Sequence, residues 1–171
     1  HLHRQSVFRY VDRRAEEGVN VMHSMLLSEA GWGNSGGDPF DDLQHEVINP
    51  AYWREVDARV EYLNSRKIVG GKVLAWGKKR ESQEPISWRE FPDVAARKRF
   101  ARYIAASYGA FDVYFLISGE WHGEVKNRDH MTADAVKQEF VEIGDAFDEA
   151  ETHGRMIGIH PMTEKGSTRD F

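Results

Sequence analysis

Four apolar, β-favouring runs alternate with four amphipathic stripes of helical spacing. This alternation restricts the fold of the 171-residue chain more than any other property. Residues 5–17 carry Val7, Phe8, Tyr10, Val11 and Ala15 on a helical stripe, closed by Gly18. Val19 to Leu26 reads as a strand. Asn49 and Pro50 supply an N-cap and a first-turn proline for a helix to about Ser65, with Trp53, Val56, Val60 and Leu63 on one face. Ile68 to Trp76 is the second strand. Pro92-Asp93 leads into a helix to about Tyr108, and Val113 to Ile117 is the third strand. Thr132 caps a helix over 133–152 with Val136, Phe140, Ile143 and Phe147 as its stripe, and Met156 to Ile159 is the fourth strand.

Strand and helix recurring about every 35–45 residues predict parallel βα units and an α/β fold. An open doubly wound sheet would usually show a glycine-rich phosphate turn after its first strand. Here that strand runs on into His23-Ser24-Met25-Leu26-Leu27-Ser28-Glu29. The expected fold is therefore a partial (β/α)8 TIM barrel, a single partial domain over residues 1–171. A whole barrel takes about 250 residues, so four strands make about half of one. Half a barrel leaves two apolar strand edges open, which predicts a fragment, with possible self-association through those edges. The first residue, His1 and not Met, fits processing or truncation.

Several functions are excluded by composition. With 28 acidic residues against 23 Lys and Arg, a net charge of −5 and no basic run, nucleic acid is not an expected partner. The chain has no cysteine, which excludes disulfides, cysteine-ligated zinc and thiol catalysis. No stretch of 18 apolar residues is present, so no membrane span is expected, and no signal peptide is visible.

The chemistry gathers at the strand ends. In α/β folds, sites form at the C-terminal ends of parallel strands. The expected tips carry His23, Ser24 and Glu29, then Trp76 and Lys78, then Glu120, Trp121 and His122, and last His160. A carboxyl among indoles and imidazoles is a good general acid, because apolar surroundings keep it protonated near neutral pH. A glycosidase needs such an acid on the leaving oxygen and a second carboxylate across the bond, about 5 Å away for retention and about 6.5–9.5 Å for inversion. Glu120 is the candidate acid. Glu29, Asp38 and Glu124 are candidates for the second carboxylate. His23, Glu29, Trp76, Trp121, His122 and His160 are the candidate sugar-binding residues, with carbohydrate as the expected partner and no cofactor. A rival reading takes His23, His122 and His160 as ligands of a catalytic zinc, without a local spacing signature to support it.

Several motifs, in order, resemble the apiosidase-like glycoside hydrolases. Arg14 to Val21 (RAEEGVNV) resembles that family's R-x-x-x-G-F-N-V. Gly37 to Phe40 (GDPF) and Ile48 to Trp53 (INPAYW) resemble parts of its long loop, and Val56-Asp57 its following V-D. Ala75-Trp76-Gly77 resembles its Trp-Gly after the third strand. Phe115 to Glu120 (FLISGE) is similar to its W-x-L-G-G-D/E, and Ile159-His160-Pro161 to its F-H-P. The resemblance implies that the visible strands are the second to fifth of a (β/α)8 barrel from bacterial carbohydrate metabolism. It puts Glu120 at the proposed acid/base position, where Asp is commoner, and Gly119 where the broader clan has Asn. It places the nucleophile after a seventh strand and favours a secreted or periplasmic location. A non-catalytic carbohydrate-binding or structural barrel piece is the alternative.

Overall fold

The computed structural model describes residues 3–27, 33–77, 86–121 and 132–161. Within them the expected alternation is present in full. The elements are α1 (Arg4–Glu16), β1 (Val21–Met25), α2 (Pro50–Ser65), β2 (Val69–Trp76), α3 (Val94–Tyr108), β3 (Val113–Gly119), α4 (Ala133–Asp148) and β4 (Ile157–His160), with a single 3-10 turn, Trp88–Glu90, before α3. The four strands form one sheet in the order β1-β2-β3-β4, every pair parallel.

Local chemistry explains the helix starts. Asn49 accepts from the Ala51 N–H at 2.9 Å, and Pro50 occupies the first turn, where a missing N–H costs nothing. Asp93 accepts from Ala96 N–H at 2.7 Å, and Thr132 from Ala135 N–H at 3.1 Å. Glu90 and Ser87 cap the 3-10 turn reciprocally. That turn was not expected from the sequence, because one turn is too short to show a period.

The main core lies between the sheet and helices α2 to α4. It is rich in aromatic rings, among them Trp53, Trp88, Phe100, Tyr108, Phe115 and Phe147. Along β3, Val113, Phe115 and Ile117 are buried towards the helices, while Tyr114 and Leu116 alternate onto the other face and are half-exposed. The continuous apolar run thus becomes an ordinary two-sided strand here. Val11, Leu63 and Ile68 form a smaller core that joins α1 to α2, and Phe8 stacks on Tyr62 with ring centroids 3.8 Å apart.

The described part of the long loop after β1 is bound to α2. Asn49 donates to the carbonyls of Gly36 at 2.9 Å and Asp38 at 2.7 Å. Trp53 Nε1 donates to Pro39 O at 3.0 Å, and Asn34 to Tyr52 O at 2.9 Å. No helix among the described residues is long and apolar enough to cross a membrane.

Candidate active site

Three neighbouring strands end in one row. Trp76 is paired with Gly119 across β2 and β3, and Gly119 with His160 across β3 and β4. A register shift between Leu116 and Gly119 brings β4 into line at this level. Bulges of this kind re-aim side chains at barrel rims and beside active sites. Two bonds brace the row from behind. Trp88, fully buried, donates its indole N–H to Ile117 O at 2.9 Å, and Gly77 N–H donates to Gly119 O at 2.7 Å.

Glu120 is the next residue after the row. Its φ is +48°, in the left-handed region that a non-glycine residue seldom adopts. It is half-exposed, and among the described residues no hydrogen bond or ion pair engages its carboxylate. The Trp76 ring lies against Gly119, where a Cβ would stand 2.0 Å from its Cζ3. His160 is 6.1 Å from Trp76, ring centroid to centroid, with the planes at 41°. An open groove of about 320 Å³ runs down the sheet from these rings, lined by Trp76, His160, Leu116, Val73, Met25, Ser24 and His23. The groove can seat a flat, partly apolar ligand against an indole and an imidazole, and Glu120 follows directly on the strand-end row without lining the groove itself.

The structure brings Glu120, Trp76 and His160 together at the strand ends. It moves His23 and Trp121 away from the expected places. His23 is not at a strand tip: it lies mid-β1, in the row of Gly71 and Tyr114, five residues or roughly 16 Å of strand below Trp76. There its ring meets Tyr114 edge-on at 5.3 Å, and its Nε2 is in hydrogen-bond contact with the Tyr114 hydroxyl. Trp121 does not line the groove: it is 4% exposed and packs edge-on against Phe140 of α4 at 6.3 Å. It directly follows Glu120, the residue with the left-handed φ. Ser24 also leaves the tip, since its hydroxyl accepts from Lys72 Nζ at 3.0 Å. Glu29, Lys78 and His122, together with Glu124, lie outside the described residues. Asp38 lies in a hollow of the β1–α2 loop with Pro39, Phe40 and His45, a set that shares no residue with the groove. Among the described residues no three His, Cys, Asp or Glu are grouped to hold a metal ion.

Three groups were missed in the sequence. Lys72 is 6% exposed within β2, in a cavity between the sheet, α1 and α2, and burial pulls its pKa down to about 8. A lysine inside an otherwise apolar strand run was the available signal. Tyr114 gave none, and Gly77 was read only as part of a Trp-Gly motif, because the significance of both lies in residues distant along the chain.

A family model described as "Apiosidase-like, catalytic domain" matches residues 1–171. No curated protein matches the chain. Among solved structures, a glycoside hydrolase superimposes with a TM-score of 0.71 at 18% identity, covering 94% of this chain and 34% of that one. A GH5_18 protein from Streptomyces cattleya, determined with GlcNAc, gives 0.69 at 15% identity, covering 94% and 40%. The AHE enzyme from Alicyclobacillus herbarius gives 0.64 at 14%, covering 98% and 41%. The chain thus spans about a third to two-fifths of the length of these structures. The likeness is one of fold: four consecutive parallel strands with their helices, part of a (β/α)8 barrel.

Proposed function

The chain belongs to the apiosidase-like family, and on that footing we propose that its barrel hydrolyses glycosidic bonds in plant or bacterial polysaccharide, with Glu120 as the proton donor. The observation that carries this reading is the position of Glu120. It is a half-exposed carboxyl, uncommitted among the described residues, directly after the row of Trp76, Gly119 and His160, where three parallel strands end. A group at this place can protonate a leaving oxygen. A sugar ring offers an apolar face to Trp76 and hydroxyls to His160, so these two are the binding residues of the reading. His23 lies at the far end of the same groove and reaches only a longer ligand. Carbohydrate as partner is supported by the S. cattleya protein of the same fold, which was determined with GlcNAc.

Hydrolysis also needs a carboxylate on the other side of the bond, about 5 Å from the acid for retention or about 6.5–9.5 Å for inversion. It is assigned to a later strand of the same barrel, as the family resemblance implies.

The test is Glu120→Gln in the full-length protein. On a glycoside with a poor, alkyl leaving group the variant loses on the order of 10³ in turnover, because that oxygen needs the proton. On an activated aryl glycoside it loses about tenfold or less. Equal loss on both substrates refutes the acid role.

A non-catalytic, carbohydrate-binding role is the second reading. It is favoured by the lining of the groove, which contains no carboxylate among the described residues. It predicts sugar binding without turnover, unchanged in Glu120→Gln.

A further inference from the structure

We propose that Gly77, the residue after β2, is a positioning residue for the acid of the neighbouring strand. The proposal rests on the assignment of Glu120 as proton donor and extends it to a residue that does not touch substrate. Gly77 is buried, and its N–H donates to Gly119 O at 2.7 Å. A Cβ built on it would lie 2.6 Å from the carbonyl oxygen of Glu120, 2.6 Å from Trp121 Cα and 2.8 Å from the Glu120 carbonyl carbon. All three are backbone atoms, which cannot swing aside as a side-chain end can.

Glu120 needs such a support. Its φ of +48° is costly for a residue with a side chain and persists only where the surroundings impose it. Gly77 supplies the surroundings on one side, through its bond to Gly119 just before the turn and its close contact with the carbonyl just after it. Buried Trp121, packed on Phe140, anchors the other side. The peptide of Glu120 is therefore held between β2 and α4. Its carboxyl direction follows from the absence of a side chain at position 77. A displacement of about 1 Å at a reacting group costs on the order of a hundredfold in rate, so a methyl group at position 77 is felt at the acid.

The experiment compares Gly77→Ala, Glu120→Gln and the double variant in the full-length protein. Gly144→Ala serves as a size-matched control, because a Cβ there meets nothing within 4 Å. Turnover is measured on an alkyl and on an activated aryl glycoside, with near-ultraviolet circular dichroism to confirm the fold. Gly77→Ala is expected to lose at least tenfold more turnover on the alkyl than on the aryl substrate, with KM on the aryl substrate changed less than threefold. Added to Glu120→Gln it causes no further loss on the alkyl substrate, since the acid it positions is already gone. Equal losses on both substrates, or losses that multiply in the double variant, overturn the positioning role. If Glu120→Gln alone shows no dependence on leaving group, the acid assignment itself falls. Should Gly77→Ala fail to fold, glycolic acid at position 77, introduced by semisynthesis, removes only the N–H. It is expected to give the same leaving-group dependence in a folded protein, and equal losses on both substrates, or no loss on either, overturn the proposal.

Discussion

The indole of Trp76 fills the place where a side chain on Gly119 would stand: a Cβ on Gly119 would lie 2.0 Å from Cζ3 and 2.2 Å from Cε3 of the ring. The two residues are register partners at the ends of β2 and β3. Glycine at 119 is thus the condition for the indole occupying this place, one residue before the candidate acid.

Gly119→Ala is expected to push the ring away and to lower kcat/KM by at least tenfold. Overpacking of this kind also destabilises by about 1–3 kcal/mol. Adding Trp76→Ala reopens the space, so the double variant regains most of the stability lost to the alanine and none of the activity. Urea unfolding and steady-state kinetics on the four-member set check both halves.

Lys72 makes stability depend on pH on the alkaline side. Its pKa is about 8 in the folded chain against 10.5 when unfolded, because burial disfavours the ammonium. Between those values the unfolded chain holds a proton that the folded chain releases, so stability rises with pH across the window. The full span is about 3 kcal/mol, from two and a half units at about 1.4 kcal/mol each. Arg59, His23, Tyr52 and Ser24 line the same cavity, so the measurement compares variants and not absolute values. Lys72→Met is expected to stabilise by about 2 kcal/mol near pH 7, part of the gain being offset by the lost bond to Ser24. It also flattens the rise between pH 8 and 10.5. Equal slopes in the two proteins would contradict the account.

Asn49 caps α2 and fastens the long loop with one side chain. Its oxygen accepts from Ala51 N–H, and its nitrogen donates to Gly36 O and Asp38 O. Asn49→Ala loses both functions and is expected to cost about 2–3 kcal/mol. Asn49→Asp keeps the acceptor and loses the donors, so it falls between, at about half that cost. Chemical denaturation separates the three proteins, and an Asp variant as stable as wild type would refute the loop-fastening role.

The sequence reading of these elements was uneven for identifiable reasons. Helix starts were legible because caps are local: Asn49, Asp93 and Thr132 each bind an N–H two or three residues ahead. Helix ends were less so. The last helix was expected to reach residue 152 and stops at Asp148, since no strong signal separates its final turn from the following coil. In the site, Glu120, Trp76 and His160 were readable as residues that follow apolar runs. His23 was assigned to the tip although the expected strand ran three residues beyond it to Leu26, and Trp121 was misplaced because a loop does not disclose its direction. β1 continues to Met25 by pairing with β2, and Trp121, buried against Phe140 of α4, comes directly after the left-handed residue Glu120.

Periodicity, capping residues and the spacing of apolar runs by themselves determined the class of this protein: parallel βα units with a carboxyl group after the third strand. These are short-range properties, set within a few residues by backbone sterics and side-chain hydrophobicity. Only the tertiary structure decided which residues share the strand-end row, that Lys72 is buried behind the sheet, and that Gly77 and Gly119 are small because Glu120 and Trp76 stand against them. Those facts depend on strand register and close packing between segments some forty residues apart, which no local pattern encodes.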